Sequence, residues 1–167
     1  MPTVLSTNAI ATLEADHREA EALFKKYEKL RNSNRSTEKY GIANQVCAAL
    51  LAHMEMEEKL FYPAARTATG LDDKLNEAQI EHAAARDLIT QIGKLHANDP
   101  LFDAKVKVLS EQMQHHINEE EHTLFPLVRS SSLDLEQLGA SMQQERENLQ
   151  ASVARNIHAE HVCRAAG

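Results

Sequence analysis

Two stretches of this 167-residue chain carry the same pattern: His53-Met54-Glu55-Met56-Glu57-Glu58 running on to Pro63, and His116-Ile117-Asn118-Glu119-Glu120-Glu121 running on to Pro126. Each reads His, three residues, Glu-Glu, four residues, Pro. A lone histidine lies far upstream of each, His17 for the first and His82 for the second. Residues four apart share a helical face about one turn apart, so each His-x3-Glu aims a nitrogen and an oxygen donor in the same direction. The pattern thus asks for helices, and for two helical hairpins whose inner faces meet.

Apolar residues recur at alternating three and four spacing through four segments, the period of a helix that buries one face. The stripes read Ile10, Leu13, His17, Ala20, Phe24, Tyr27; then Ile42, Val46, Ala49, His53, Glu57, Leu60; then Leu71, Leu75, Ala78, His82, Ala85, Ile89, Ile92; and finally Leu109, Met113, His116, Glu120, Thr123, Leu127. His17, His53, Glu57, His82, His116 and Glu120 therefore all fall on core positions. Thr7 or Asn8 is the expected cap of the first helix and Ser36 of the second, while Asp99 caps and Pro100 starts the fourth. Breaks are expected at Asn32-Ser33-Asn34, between Thr67 and Gly70, and at Ser130-Ser131-Ser132. Pro63 and Pro126 are expected to kink or end helices two and four beyond His53-x3-Glu57 and His116-x3-Glu120.

Beyond Ser132 a looser apolar pattern, Leu133, Leu135, Leu138, Met142, Leu149, Val153 and Ile157, predicts a fifth helix that docks outside the bundle or against another subunit. The expected fold is all-α: an antiparallel up-down-up-down four-helix bundle over residues 1–130, with an additional C-terminal helix in an extension over 131–167. Scarce Gly (5) and Pro (4) agree with that class. A monomer, or a homodimer through the C-terminal helix, is the expected assembly.

Helix heights test the convergence independently, because antiparallel neighbours bring residues level when they are equally far from the turn. With the first turn at Asn34, His17 lies 17 positions before it and His53 lies 19 after it. With the second turn at Asp99, His82 and His116 each lie 17 positions away. At about 1.5 Å rise per residue the mismatch in the first hairpin is only about 3 Å. All four imidazoles can share one layer.

Charge and cysteine usage narrow the partners. A formal net charge of -7 with scattered Lys and Arg disfavours a nucleic-acid partner, which needs a clustered basic surface. Cys47 and Cys163 form no Cys-x-x-Cys pair, so neither a disulfide scaffold nor a cysteine zinc site is indicated. The first residues lack a basic and apolar leader pattern, and no stretch is apolar long enough to span a bilayer. A cytoplasmic, non-membrane protein is expected.

A single histidine on an apolar stripe is usually a satisfied core residue, but four at matched heights reverse that reading. Inward-facing Glu57 and Glu120 need partners, and no Arg or Lys recurs at the corresponding places. Imidazole with carboxylate suits iron, manganese or zinc. Two octahedral ions need roughly twelve positions, and four nitrogens with two bridging carboxylates supply about eight, so open positions for a small ligand are expected. Glu58, Glu119 and Glu121 read as a solvated face, with Glu58 or Glu119 able to accept from a ligand histidine. His115 and His122 read as surface residues and His96 as a helix-end cation. His158, His161 and Cys163 read as a frayed tail that could make a peripheral metal site. Phe24, Phe61, Phe125, Leu50 and Ile89 are expected to pack around the centre.

The set His17, His53-x3-Glu57, His82, His116-x3-Glu120 resembles the hemerythrin-like family of HHE cation-binding domains. Flanking residues are similar too: Asp16-His17, Glu81-His82, Leu60-Phe61-Tyr62-Pro63 and Leu124-Phe125-Pro126. The resemblance covers about Leu13 to Pro126. It implies a non-heme di-iron centre, two Fe ions with an oxygen bridge, that binds or senses dioxygen, peroxide or nitric oxide. Oxygen-carrying members place two histidines four apart on the third helix, whereas Ala78 and Arg86 flank His82 at that spacing. One iron is then expected to have an extra exchangeable position, which favours sensing, iron handling, or peroxide and nitric oxide chemistry over reversible oxygen carriage.

Overall fold

Asn8 begins the first helix by accepting hydrogen bonds from the Ile10 and Ala11 amides at 3.1 and 3.2 Å, a side-chain cap for otherwise orphaned donors. In the computed structural model, residues 8–165 are described, with side chains through residue 152. Helix α1 spans Ala9–Leu30 and α2 spans Ser36–Met56. The expected Ser36 cap is not used: Arg35 precedes the helix and no side chain caps it. A π turn over Glu57–Phe61 leads directly into α3, Tyr62–Thr69. Gly70 closes that rod at φ 65°, a left-handed geometry that costs glycine no Cβ clash.

The second half repeats the plan, with α4 over Asp72–Gly93, α5 over Phe102–Glu119, a second π turn over Glu120–Leu124 and α6 over Phe125–Arg129. Helix α5 starts two residues later than Pro100 had indicated, and Asp99 Oδ1 instead accepts from the Leu101 amide at 2.8 Å. His96 lies in the loop three residues past the end of α4 and so does not close that helix. Helix α7 spans Leu135–Ala165, so His158, His161 and Cys163 lie outside the residues whose side chains are described.

Neither proline ends its helix. A proline lacks the amide proton and its ring crowds the carbonyl four residues back. The chain meets this by inserting one residue into the preceding turn, so that the Tyr62 amide donates to Glu57 O and the Phe125 amide to Glu120 O, each five residues back. Helical winding then resumes with the proline in the first turn of α3 and of α6.

Helix α1 packs mainly on α2, and α4 mainly on α5, while α7 lies across α1 and the first π turn. The described fold is all-α, a helical bundle with an extra C-terminal helix. Its apolar interior forms two clusters. One holds Tyr27, Val46, Leu50, Met54, Ile92, Phe102 and Leu109, and the other Ile10, Leu13, Phe61, Tyr62, Leu75, Phe125 and Met142. Leu50 and Ile89 belong to the first cluster, with Phe24 packed against it. Among the described residues, no helix is long and apolar enough to cross a membrane.

Candidate metal centre

The layer between the two apolar clusters is polar. His17 Nε2 lies 3.1 Å from His53 Nε2, and His82 Nε2 lies 3.1 Å from His116 Nε2, so each hairpin contributes one facing pair. Glu57 Oε2 is 3.2 Å from Nε2 of both His53 and His82, and Glu120 Oε2 is 3.3 Å from His17 and 3.4 Å from His116. Each carboxylate thus spans the two hairpins. All six side chains are at most 3% exposed. The helical register read from the sequence brings them together.

Protein contacts alone do not satisfy this layer. Glu57 Oε1 is buried with no hydrogen-bond partner, and Glu120 Oε2, although 3.3 and 3.4 Å from two imidazoles, makes a hydrogen bond to neither, a costly state for a carboxylate. Two nitrogens bound at about 2.1 Å to one ion at a right angle stand about 3 Å apart, close to the spacing of both imidazole pairs. Donor atoms of His17, His53, Glu57 and Glu120 lie within 4.8 Å of one another, as do those of Glu57, His82 and His116. Glu57 belongs to both groups. The donors, unpartnered oxygens and spacing fit metal ions of the iron, manganese or zinc type.

Electrostatics point the same way. Burial opposes charge on His53, yet the Glu57 carboxylate and Asp16 outweigh it and raise the imidazole pKa to about 10. Burial likewise opposes charge on His116, but Glu120 and Glu81 raise it to about 8. Burial would raise the Glu57 pKa, but His53 and His82 hold it well below the usual carboxylate range. Without metal, the site keeps anionic oxygen and neutralises it with imidazolium protons. A cation would take the place of those protons.

A ring of outer carboxylates orients the imidazoles. Nδ1 of His17 donates to Glu121 at 2.8 Å, His53 to Asp16 at 3.3 Å, His82 to Glu58 at 2.8 Å and His116 to Glu81 at 2.6 Å. With each Nδ1–H engaged outward, Nε2 faces the centre and offers its lone pair whenever the ring is neutral. Glu121 is therefore not part of a solvated face, because it crosses to His17 and also pairs with Arg18. Glu58 serves His82 as one expectation allowed, and Arg86 donates to it at 3.0 Å. Glu119 stays at the surface, 3.7 Å from Lys74. His115 and His122 are exposed. The roles of Asp16 and Glu81 escaped the sequence reading, although each directly precedes an inward histidine.

Tyr62 is the other residue that the stripes did not disclose. Its hydroxyl donates to Glu120 Oε1 at 2.8 Å, and it lies 3.2 Å from His82 Nε2 and 3.4 Å from Glu57 Oε2. Burial, then Glu120 and Glu57, push its pKa well above that of an ordinary phenol, so it stays protonated. Phe125 stacks on His17 at 5.8 Å, and Phe61 meets Phe125 edge-on at 5.5 Å. A narrow crevice of about 20 Å³, lined by Ala78, Glu81, His116, Glu120 and Leu124, reaches the layer from the α4–α5 side.

Known proteins agree with the geometry. A model of the hemerythrin HHE cation-binding domain matches residues 8–128. A DNA nickase from Nostoc sp. (strain PCC 7120 / SAG 25.82 / UTEX 2576) is 28% identical over 140 residues, which cover 83% of this chain. The chain spans only 39% of that relative's length. Among solved structures, a hemerythrin HHE cation-binding domain-containing protein from Mycobacterium kansasii, a homolog of Rv2633c, shares the fold. It has a TM-score of 0.73 and 21% identity, over 90% of this chain and 92% of the other. With the family model covering most of its length, the chain belongs to the hemerythrin family of HHE cation-binding domains.

Proposed function

We propose that this chain is a cytoplasmic non-heme di-iron protein that binds or senses dioxygen or a related small oxidant at an open iron position. His17, His53, His82 and His116 would be terminal ligands, with Glu57 and Glu120 as bridges. One observation carries the reading: each central carboxylate touches one imidazole from each hairpin, as a bridge between two ions requires. Two bridging carboxylates also offset the repulsion between two divalent ions. Two iron ions there would supply one-electron chemistry and an exchangeable position, since the protein donors fall short of two full octahedra.

The remaining side chains define what such a site can do. The outer carboxylates hold the imidazole tautomer and strengthen the nitrogens as donors. The two apolar clusters and Phe125 keep bulk water away, which strengthens every polar contact inside. Tyr62 holds a proton at its hydroxyl oxygen beside Glu120 and can offer it to a small anionic guest. The crevice beside Ala78 admits something no larger than a few atoms.

That protonated hydroxyl favours one second reading, a peroxide- or nitric-oxide-reactive oxidoreductase or a stress-response iron-handling protein. The activity named for the Nostoc relative belongs to a protein mostly longer than this match, and a chain of net charge -7 is a poor electrostatic partner for phosphates. Anaerobic loading with Fe(II), metal analysis and then exposure to air test the proposal. Two irons per chain and a new near-ultraviolet charge-transfer absorption are expected. Iron that fails to bind, or binds without any spectral response to air, would count against it. Steady consumption of peroxide or nitric oxide by the iron form would select the second reading.

A further inference from the structure

Three of the four outer carboxylates pair with an arginine, and among the described residues one of those arginines comes from outside the four rods. Arg18 of α1 serves Glu121, and Arg86 of α4 serves Glu58. Glu81 has His115 at 3.7 Å. Asp16, by contrast, is gripped by Arg146 of α7: Nη1 donates to Oδ1 at 3.0 Å and Nη2 donates to Oδ2. The same Oδ2 accepts from His53 Nδ1. An unbroken polar path therefore runs from α7 to the centre.

The surrounding contacts seat this part of α7 firmly on the His53 side. Met142 is fully buried in the apolar cluster, and Glu145 pairs with Lys59 of the first π turn, two residues after Glu57. Arg146 Nε is buried without a partner, so the seat of the guanidinium is set by its fork onto Asp16. The Asp16–His53 contact, at 3.3 Å, is the longest of the four imidazole–carboxylate bonds. Asp16 is 15% exposed and has a route to water if released. A two-pronged arginine fixes both of its oxygens, which a single ammonium cannot do.

We propose that Arg146 is a positioning residue of the metal centre, which holds His53 through Asp16 and makes the docking of α7 set the metal affinity of the position built by His17 and His53. This rests on the metal-binding reading above. The position built by His82 and His116 has no such tether, because its carboxylates are fixed from within the bundle. The two positions are therefore unequal, and α7 acts on one of them.

Titration of the full chain with Co(II), followed by visible absorption, tests this in the wild type, R146A, R146K, D16N and the double variant R146A/D16N. The wild type should take two ions. R146A and D16N should each weaken one binding step by about tenfold or more and leave the other step alone. R146K, which keeps the charge without the fork, should fall between R146A and the wild type. The double variant should bind no more weakly than the worse single one, because both remove the same link. A purely structural role for Arg146 would weaken both steps alike or add to the D16N effect, and either result overturns the proposal. So do unchanged steps in R146A with the wild type binding two ions. A wild type that takes no Co(II) overturns this proposal together with the metal-binding reading, which distinguishes the two failures.

Discussion

Tyr62 and Phe125 occupy equivalent places, each five residues after a central glutamate and each stacked on an inward imidazole, and they differ by one hydroxyl. Tyr62 lies 5.4 Å from His82 and Phe125 lies 5.8 Å from His17, ring centre to ring centre. The hydroxyl breaks the near-symmetry of the two hairpins at the one point where it can reach Glu120, His82 and Glu57 together.

Tyr62→Phe removes that asymmetry without changing the packing. Loss of a hydrogen bond to a buried carboxylate should destabilise the metal-free protein by about 1.5 to 3 kcal/mol, read from urea unfolding. Iron stoichiometry should be unchanged, while the rate at which the loaded protein responds to air should shift. An identical unfolding midpoint together with an identical rate would leave the hydroxyl without a role.

The central glutamates are not interchangeable. Glu57 belongs to both candidate donor groups, whereas Glu120 belongs to only one of them. Both glutamates reach an imidazole of each hairpin, so Glu57→Gln and Glu120→Gln should each weaken both positions, Glu57→Gln the more severely because Glu57 shares in both groups of close donors. Metal analysis after gel filtration reads both. A loss in Glu120→Gln as large as that in Glu57→Gln would refute this ranking, and an unchanged metal content in either variant would refute its role as a bridge.

Alkaline pH should weaken the metal-free protein. The His53 pKa is raised from 6.5 to about 10 and that of His116 from 6.5 to about 8. A raised folded-state pKa gives stability that is fully present below the unfolded value and is lost as pH climbs through the folded one. The melting temperature of the metal-free chain should accordingly fall from pH 6.5 through pH 8 and towards pH 10. In a metal-loaded chain the imidazoles would already be neutral ligands, so its melting temperature should be flatter over that range.

Ala78 lines the crevice that reaches His116 and Glu120. Ala78→Val should narrow the passage and slow the response of the iron form to air several-fold, with two irons still bound. Stopped-flow absorption measures the rate, and metal analysis guards against simple loss of the centre. A rate equal to that of the parent chain would mean that small molecules enter elsewhere.

Much of this was legible because helical periodicity is a strong local signal. His17, His53, Glu57, His82, His116 and Glu120 sit on apolar stripes, and their near-equal distances from the turns put the histidines level. Tyr62 was hidden for a geometric reason. On a regular α-helix a residue five positions on points about 140° away from the first, so Tyr62 would not be expected to share a face with Glu57. The π turn changes that angle, and its cause, Pro63, had instead indicated a kink or an end. Glu121, Asp16 and Glu81 were obscure because their partners lie on other helices, and periodicity within one helix carries no information about what faces it. Arg146 lies still further from any pattern, since its meaning depends on where α7 docks.

The separation of the interior into two apolar clusters, with the donors between them, bears on how the protein would handle its cargo. Neither cluster includes any of the six central donors, so emptying the centre should leave a folded shell, unlike small domains that collapse into shape only around their ion. Such a shell can be loaded, stripped and loaded again while the helices stay paired. Its occupancy can then follow the supply of metal around it without each exchange requiring a new round of folding.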